Sequence, residues 1–182
     1  CFEFANNDSS VFSIIPESNK TTGNIGVEYL IFKYRLNIHA EHFFPIKHNL
    51  LGVKGSNLND IKDVYSHAQA LSQSSNFIKN NNLIGNVRAD TAGSAKYISD
   101  IKDKTKAAIA SELSASIYNL EILKEDIQDE KNNVTRFLIM GKEIYQPDLK
   151  DENYITSFLF KLKSKPAALY SALSGFAING VN

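Results

Sequence analysis

The chain has 182 residues, 43% hydrophobic and 22% charged, which is the make-up of a folded globular protein and excludes a disordered or fibrous chain. Lys plus Arg number 20, as do Asp plus Glu, and the isoelectric point is near 7.1, so no global field draws the protein to nucleic acid or to an anionic membrane surface. Cys1 is the one cysteine; an internal disulfide is excluded and a reducing compartment fits, while no apolar run reaches the length of a membrane span and no basic start followed by an apolar stretch marks a signal peptide.

In chain order, SVFSIIP (10–16) reads as a buried strand stopped by Pro16. ESNKTTGNIG (17–26) is the loop after it, with Gly23 and Gly26 as breakers. VEYLIFKYRL (27–36) places Val27, Leu30, Ile31 and Tyr34 at helical spacing. HAEHFFPIKHNLLGV (39–53) alternates in part and carries Pro45, so it is two strands or one bent strand. Val64 and Tyr65 close a short extended piece. Ser66 then suits a helix N-cap, with Gln69 three residues on as in a capping box, and Ala70, Leu71, Phe77 and Ile78 lie on the helix that follows.

NVRAD (86–90) is a predicted strand, TAGSAKYISD (91–100) a helix, and AAIAS (107–111) a small-residue strand. Ser111 caps the helix ELSASIYNL (112–120), and TRFLIM (135–140) is a strand. QPDLKDEN (146–153) is the best linker candidate. ITSFLFKLKS (155–164) alternates as a strand, and a helix runs from about Pro166 to Ala177. Strands alternating with helices before residue 145 predict an α/β domain with a largely parallel sheet.

Most cluster chemistries fail on these residues. His39 and His42 sit three apart in an extended stretch and point to opposite faces, with no Cys or Asp cluster to complete a metal site. Cys1, at a terminus, is a poor nucleophile, and TTGNIG lacks the lysine spacing of a phosphate loop. The polar residues that follow the strands are better placed, because ligands of α/β sheets sit at the carboxyl ends of strands beside helix N-termini. Asn19 to Gly23, Ser66 to Gln69, Asp90 with Thr91, and Ser111 hold that position, and Gln69 and Gln73 share a helix face. Together they describe an uncharged, donor-rich cleft for a small anion. Singly, Ser66, Thr91 and Ser111 are helix caps and Gln73 is a surface residue.

Taken as an ordered set, IIPESNKTTGNIG, VYSHAQALSQ, RADTAGSA, KAAIAS with SIYNLEIL, and NNVTRF resemble the signature blocks of the prephenate dehydratase family. TSFLFKLKSKPAALYSALSGFAINGVN resembles the start of the ACT regulatory domain that follows in that family. The resemblance implies a two-subdomain α/β fold like type II periplasmic binding proteins, with residues 1–145 as the catalytic domain, 146–154 as a linker and 155–182 as the start of an ACT domain. It implies a carbon–oxygen lyase that converts prephenate to phenylpyruvate without metal or cofactor, in the cytoplasm, within a homo-oligomeric parent protein.

Residue by residue, the match implies Thr135 as the catalytic group, hydrogen-bonding the leaving hydroxyl. It implies Asn19, Thr22, Ser66, His67, Gln69, Gln73, Asp90, Thr91, Ala92, Arg136 and Phe137 around the substrate. Arg136 reads as a fixed positive charge for a substrate carboxylate or as a structural ion pair, and Phe137 as core. Ala167, Ala168 and Leu169 match the effector loop, with phenylalanine as the effector.

The chain departs from the family pattern in several places. Ser18 and Lys20 flank Asn19 where the family has glutamate and serine, Ala68 replaces a proline, Ser74 a frequent cysteine, and Ala167 a glycine. The family's opening strand with its glycine-threonine loop and its later ACT strands have no counterpart, so the expectation is a cut chain that alone is inactive or aggregates. Two other readings stay open: a non-catalytic small-anion or amino-acid binding remnant on the same scaffold, and an arogenate dehydratase.

Overall fold

The computed structural model of the chain describes residues 1–21, 23–144, 156 and 160–180. In chain order its elements are α1 (Phe2–Asn7), β1 (Ser13–Asn19), β2 (Gly23–Asn24), α2 (Glu28–Tyr34), β3 (Asn37–Pro45), β4 (Asn49–Gly52), β5 (Asp63–Ser66), α3 (Ala68–Ser72), α4 (Ser75–Asn80), β6 (Ile84–Val87), α5 (Thr91–Ile101), β7 (Lys106–Ala110), α6 (Glu112–Tyr118), β8 (Glu121–Lys124), β9 (Val134–Gly141) and α7 (Ala168–Ile178). The fold is α/β, as expected. Contacts divide the described residues into two compact units, one from Cys1–Ser13, Val27–His39 and Met140–Asn182, the other from Ile14–Gly26 and Ala40–Ile139.

The second unit is built on a five-stranded sheet of order β6-β5-β7-β4-β8. The sheet is mixed, which corrects the largely parallel expectation. β5 runs parallel to β6 and β7, whereas β4 runs antiparallel to β7 and β8. Parallel neighbours need a crossover; α3, α4 and α5 supply it between β5, β6 and β7, and β4 precedes them all.

The two sheet faces follow from the period-two alternation of strand side chains. Leu50, Val64, Ala107 and Ile109 pack on one face with Ala70, Leu71 and Ile127. Leu51, Ala108 and Ala110 pack on the other with Ala95 and Ile98 of α5 and Ala115 of α6. Fully burying a Leu or Ile contributes roughly 1.5–3 kcal/mol, so these two layers dominate the unit's stability and hold the strand ends in place.

Several local expectations shift. β1 passes through Pro16 instead of ending there; it lies between β2, which pairs with it at Ser18 and Asn19, and β9. The stretch 39–53 forms two strands. The single helix expected after Ser66 is two, α3 and α4, broken at Gln73 and Ser74. Asp129 causes the break: its backbone N–H donates to the Gln73 carbonyl (2.7 Å), and its carboxylate accepts from the Asn76 backbone N–H (3.1 Å) and the Ser75 hydroxyl (2.8 Å) at the start of α4. α1 and β8 are too short and too weakly patterned to be read from the sequence.

In the first unit, Phe2 of α1 stacks on Tyr34 of α2 at 5.6 Å, and Phe12 meets His39 edge-on at 5.0 Å. Gly141 lies against both rings. A Cβ there would fall 2.9 Å from His39 Nε2 and 3.0 Å from Phe12, so glycine is required for close approach. The helix expected near 166–177 is α7. The strand expected over 155–164 is not formed at 156 or 160–164, the described residues of that stretch, and the 146–154 linker lies outside the described residues. Among the described residues no helix is long and apolar enough to cross a membrane.

Candidate functional site

A cavity of about 330 Å³ opens in the second unit, lined by Asn19, Ile46, His48, His67, Gln69, Ala70, Gln73, Asp90, Thr91 and Thr135. All but Ala70, in the middle of α3, come from a strand end or a helix end: β1, the approach to β4, both ends of α3, the start of α5 and the start of β9. Sheet cores cannot bend into a ligand, so the polar groups collect where the strands stop.

The wall around Thr135 is a network of neutral side chains. Asn19, 4% exposed, donates from Nδ2 to Thr135 Oγ1 at 2.8 Å and to Asn133 Oδ1 at 2.7 Å. Asn19 Oδ1 accepts from the Thr21 backbone N–H (3.0 Å) and from the Thr21 hydroxyl (2.5 Å). Gln73 Nε2 donates to Thr21 Oγ1 (3.0 Å), while Gln73 Oε1 accepts from Asn133 Nδ2 (3.1 Å) and meets His48 Nε2 at 2.8 Å. Thr135 Oγ1 therefore accepts from Asn19 and keeps its own hydrogen, which meets no acceptor among the described residues, for the cavity it lines. His48 is buried, and burial holds its ring below the ordinary imidazole value of 6.5, opposed by the bond to Gln73. The ring is neutral at pH 7.

Across the cavity, helix starts supply donors. His67, not Ser66, is the N-cap of α3; its Nδ1 accepts from the Gln69 backbone N–H at 3.2 Å. Asp90 caps α5 by accepting from the Gly93 N–H at 2.5 Å. The first-turn N–H groups at Thr91 and Ala92 have no carbonyl within the helix to bond and mark an anion-favouring end.

Other expected residues fall elsewhere. Ser66 is fully buried and its hydroxyl donates to the Ile109 carbonyl at 2.6 Å, tying β5 to β7. Ala92 is exposed and outside the lining. Arg136 is also outside it, and the ion-pair reading is the one the structure supports: Nε donates to Glu41 at 2.7 Å and Nη1 to Glu17 at 3.4 Å. Phe137 is half-buried, short of the core position expected. Thr22 lies outside the described residues. Ser111 caps α6 through the Ser114 N–H at 3.3 Å, away from the lining.

Ala167, Ala168 and Leu169 border a shallow depression of about 570 Å³ in the first unit. Ala167 itself has φ +59°, a left-handed backbone that glycine adopts without strain.

The departures beside Asn19 do not enter the cavity. Ser18 donates to Glu17 at 2.5 Å, and Lys20 is exposed. Two polar residues of the site escaped sequence reading, His48 and Asn133, as did the apolar lining residues Ile46 and Ala70. Asn133 stands in NNVTRF, just ahead of the residues that the motif supplied. His48 begins the HNLL approach to β4 and looks like any other histidine in a sequence.

Residues 1–145 match the family model described as prephenate dehydratase. Over 171 residues the chain is 42% identical to an Arabidopsis thaliana protein named arogenate dehydratase/prephenate dehydratase 1, chloroplastic, covering 93% of this chain and 43% of that one. Over 181 residues it is 38% identical to the prephenate dehydratase of Methanocaldococcus jannaschii, covering 96% of this chain and 64% of that one. The chain thus spans less than two thirds of these relatives' lengths. The crystal structure of a Staphylococcus aureus prephenate dehydratase superposes with TM-score 0.78 at 26% identity, covering 100% of this chain and 66% of that one.

Proposed function

The chain belongs to the prephenate dehydratase family, and from that premise we propose that the protein dehydrates and decarboxylates prephenate to phenylpyruvate. The carrying observation is the hydroxyl of Thr135, held by Asn19 at 2.8 Å with its hydrogen left for the cavity. In the proposed reaction the ring carboxylate leaves as CO2, and its bonding electrons enter the ring. The ring C–O bond breaks with its electron pair on oxygen, and the departing hydroxide takes a proton to become water. Aromatisation drives both cleavages, so the protein needs to orient a dianion and stabilise the leaving oxygen. Thr135 donates a hydrogen bond to that oxygen, and one preorganised donor contributes on the order of 10²–10³ in rate. The first-turn amides of α5 face the substrate's carboxylate charge.

Arogenate, which the Arabidopsis relative's name also carries, has an amino group in place of the keto group and would react by the same bond changes. Phenylalanine as an effector at Ala167 to Leu169 and a cytoplasmic, homo-oligomeric protein belong to the same proposal. The test follows phenylpyruvate from prephenate, and phenylalanine from arogenate, with Thr135→Val beside the parent. A drop of about 10² or more in the variant supports the reading. A folded parent that turns over neither compound sinks it and favours a small-anion binding protein.

A further inference from the structure

We infer that His48 is a positioning residue that fixes the polarity of the hydrogen-bond chain so that Thr135 points its hydrogen at the cavity; the inference rests on the proposed role of Thr135. The chain admits two directions in principle. One end is pinned by the Thr21 backbone N–H, which can only donate and lies 3.0 Å from Asn19 Oδ1. That sets the Asn19 amide with Nδ2 toward Thr135 and Asn133. Asn133 must then present Oδ1 to Asn19 and Nδ2 to Gln73, and Gln73 must present Oε1 to Asn133 and Nε2 to Thr21.

Gln73 Oε1 consequently faces His48 Nε2 at 2.8 Å, and only a donor fits there. His48 carries its hydrogen on Nε2.

The reverse tautomer, with hydrogen on Nδ1, sets an acceptor against an acceptor. The conflict is relieved by turning the Gln73 amide, then Asn133, then Asn19, which places Asn19 Oδ1 against Thr135 Oγ1. The Thr135 hydroxyl then donates to Asn19 and has no hydrogen for a leaving group. The Thr21 N–H resists this reversal from one end, and His48 from the other. Asn19 and Asn133 are 4% and 2% exposed, so at these two amides the solvent has little access to repair a mismatched bond, whereas Gln73 is half-buried and Thr21 exposed.

Nitrogen-15 spectra of the imidazoles, with His48 assigned through His48→Gln, read the tautomer directly. A ring protonated on Nε2 is expected; one protonated on Nδ1 overturns the inference whether or not the protein is active. The kinetic arm uses prephenate. His48→Leu lowers kcat about tenfold with KM held within about twofold, and His48→Gln, whose amide hydrogen replaces that of Nε2, recovers to within about threefold of the parent. In a Thr135→Val background His48→Leu has no further effect. Equal losses in both backgrounds, unrelieved by His48→Gln, overturn the positioning role. A parent without turnover but with His48 protonated on Nε2 removes the proposed reaction and leaves the polarity standing.

Discussion

Thr135 and Arg136 are neighbours on β9, and the alternation of the strand separates them into two kinds of polar surrounding. Around Thr135 the groups are neutral and directional, with Asn19, Asn133 and His48 buried: Asn19, Asn133, Thr21, Gln73 and His48 hold one another through bonds of 2.5–3.1 Å. Around Arg136 the groups are charged and about a quarter exposed, with Glu41 and Glu17 sharing one guanidinium. Directional neutral bonds decide which atom carries a free hydrogen. Charge pairs decide little about direction and supply cohesion. A reaction that needs one aimed donor beside a dianion uses the first kind, and the second keeps the strand in register next to it.

The widest separation between the two comes from single substitutions on β9. Thr135→Val is expected to lower kcat on prephenate by on the order of 10²–10³ and, by leaving buried Asn19 Nδ2 without this acceptor, to cost about 1–3 kcal/mol of stability. Arg136→Ala is expected to cost about 1–2 kcal/mol of stability, discounted for its partial exposure, with kcat and KM for prephenate little altered. A large rise in KM from Arg136→Ala would return that residue to the substrate and break the comparison.

Acid sharpens it further. The folded protein holds His48 below 6.5, so between that depressed value and 6.5 the unfolded chain binds the proton more readily than the folded one. Stability from this group is full above about pH 6.5 and falls as the pH drops below it. Urea midpoints at about pH 7.5 and about pH 5.5 should therefore diverge more in the parent than in His48→Gln. His67 and Asp90 also line the cavity and are retained in both proteins, so the difference isolates His48.

Asn133→Leu leaves the Asn19 and Gln73 amides each short of a partner, and should cost about 1–3 kcal/mol and lower turnover as well. Ala167→Gly gives the smallest effect and lies outside both surroundings. Relieving the left-handed alanine at φ +59° should stabilise the segment, by less than about 1 kcal/mol once glycine's greater unfolded freedom is offset. A melting temperature that falls would remove the strain argument.

Much of the cavity was legible in the sequence because strand ends and helix starts announce themselves locally. Asp90 before the α5 pattern and Gln69 with Gln73 four residues apart were found this way, and all three line the cavity. Ser66 was misread because a capping-box spacing does not say which of two adjacent residues turns outward. Its hydroxyl ties β5 to β7, and His67 takes the cap. Arg136 could be read either way from sequence, since Glu41 lies 95 residues from it and nothing local announces that distant partner. The mixed sheet was missed for the same reason, because strand direction depends on which strands become neighbours.

By itself the sequence determined the α/β class, the order of its principal elements and the motif residues, because propensity, periodicity and capping act within a few residues. Tertiary structure decided which of those residues share a cavity and, above all, which way each amide points. Asn19, Gln73 and Asn133 can each be turned end for end without changing a letter of the chain. Only a backbone N–H at Thr21 and a ring nitrogen at His48, brought together from distant positions, leave one direction in which every buried donor meets an acceptor.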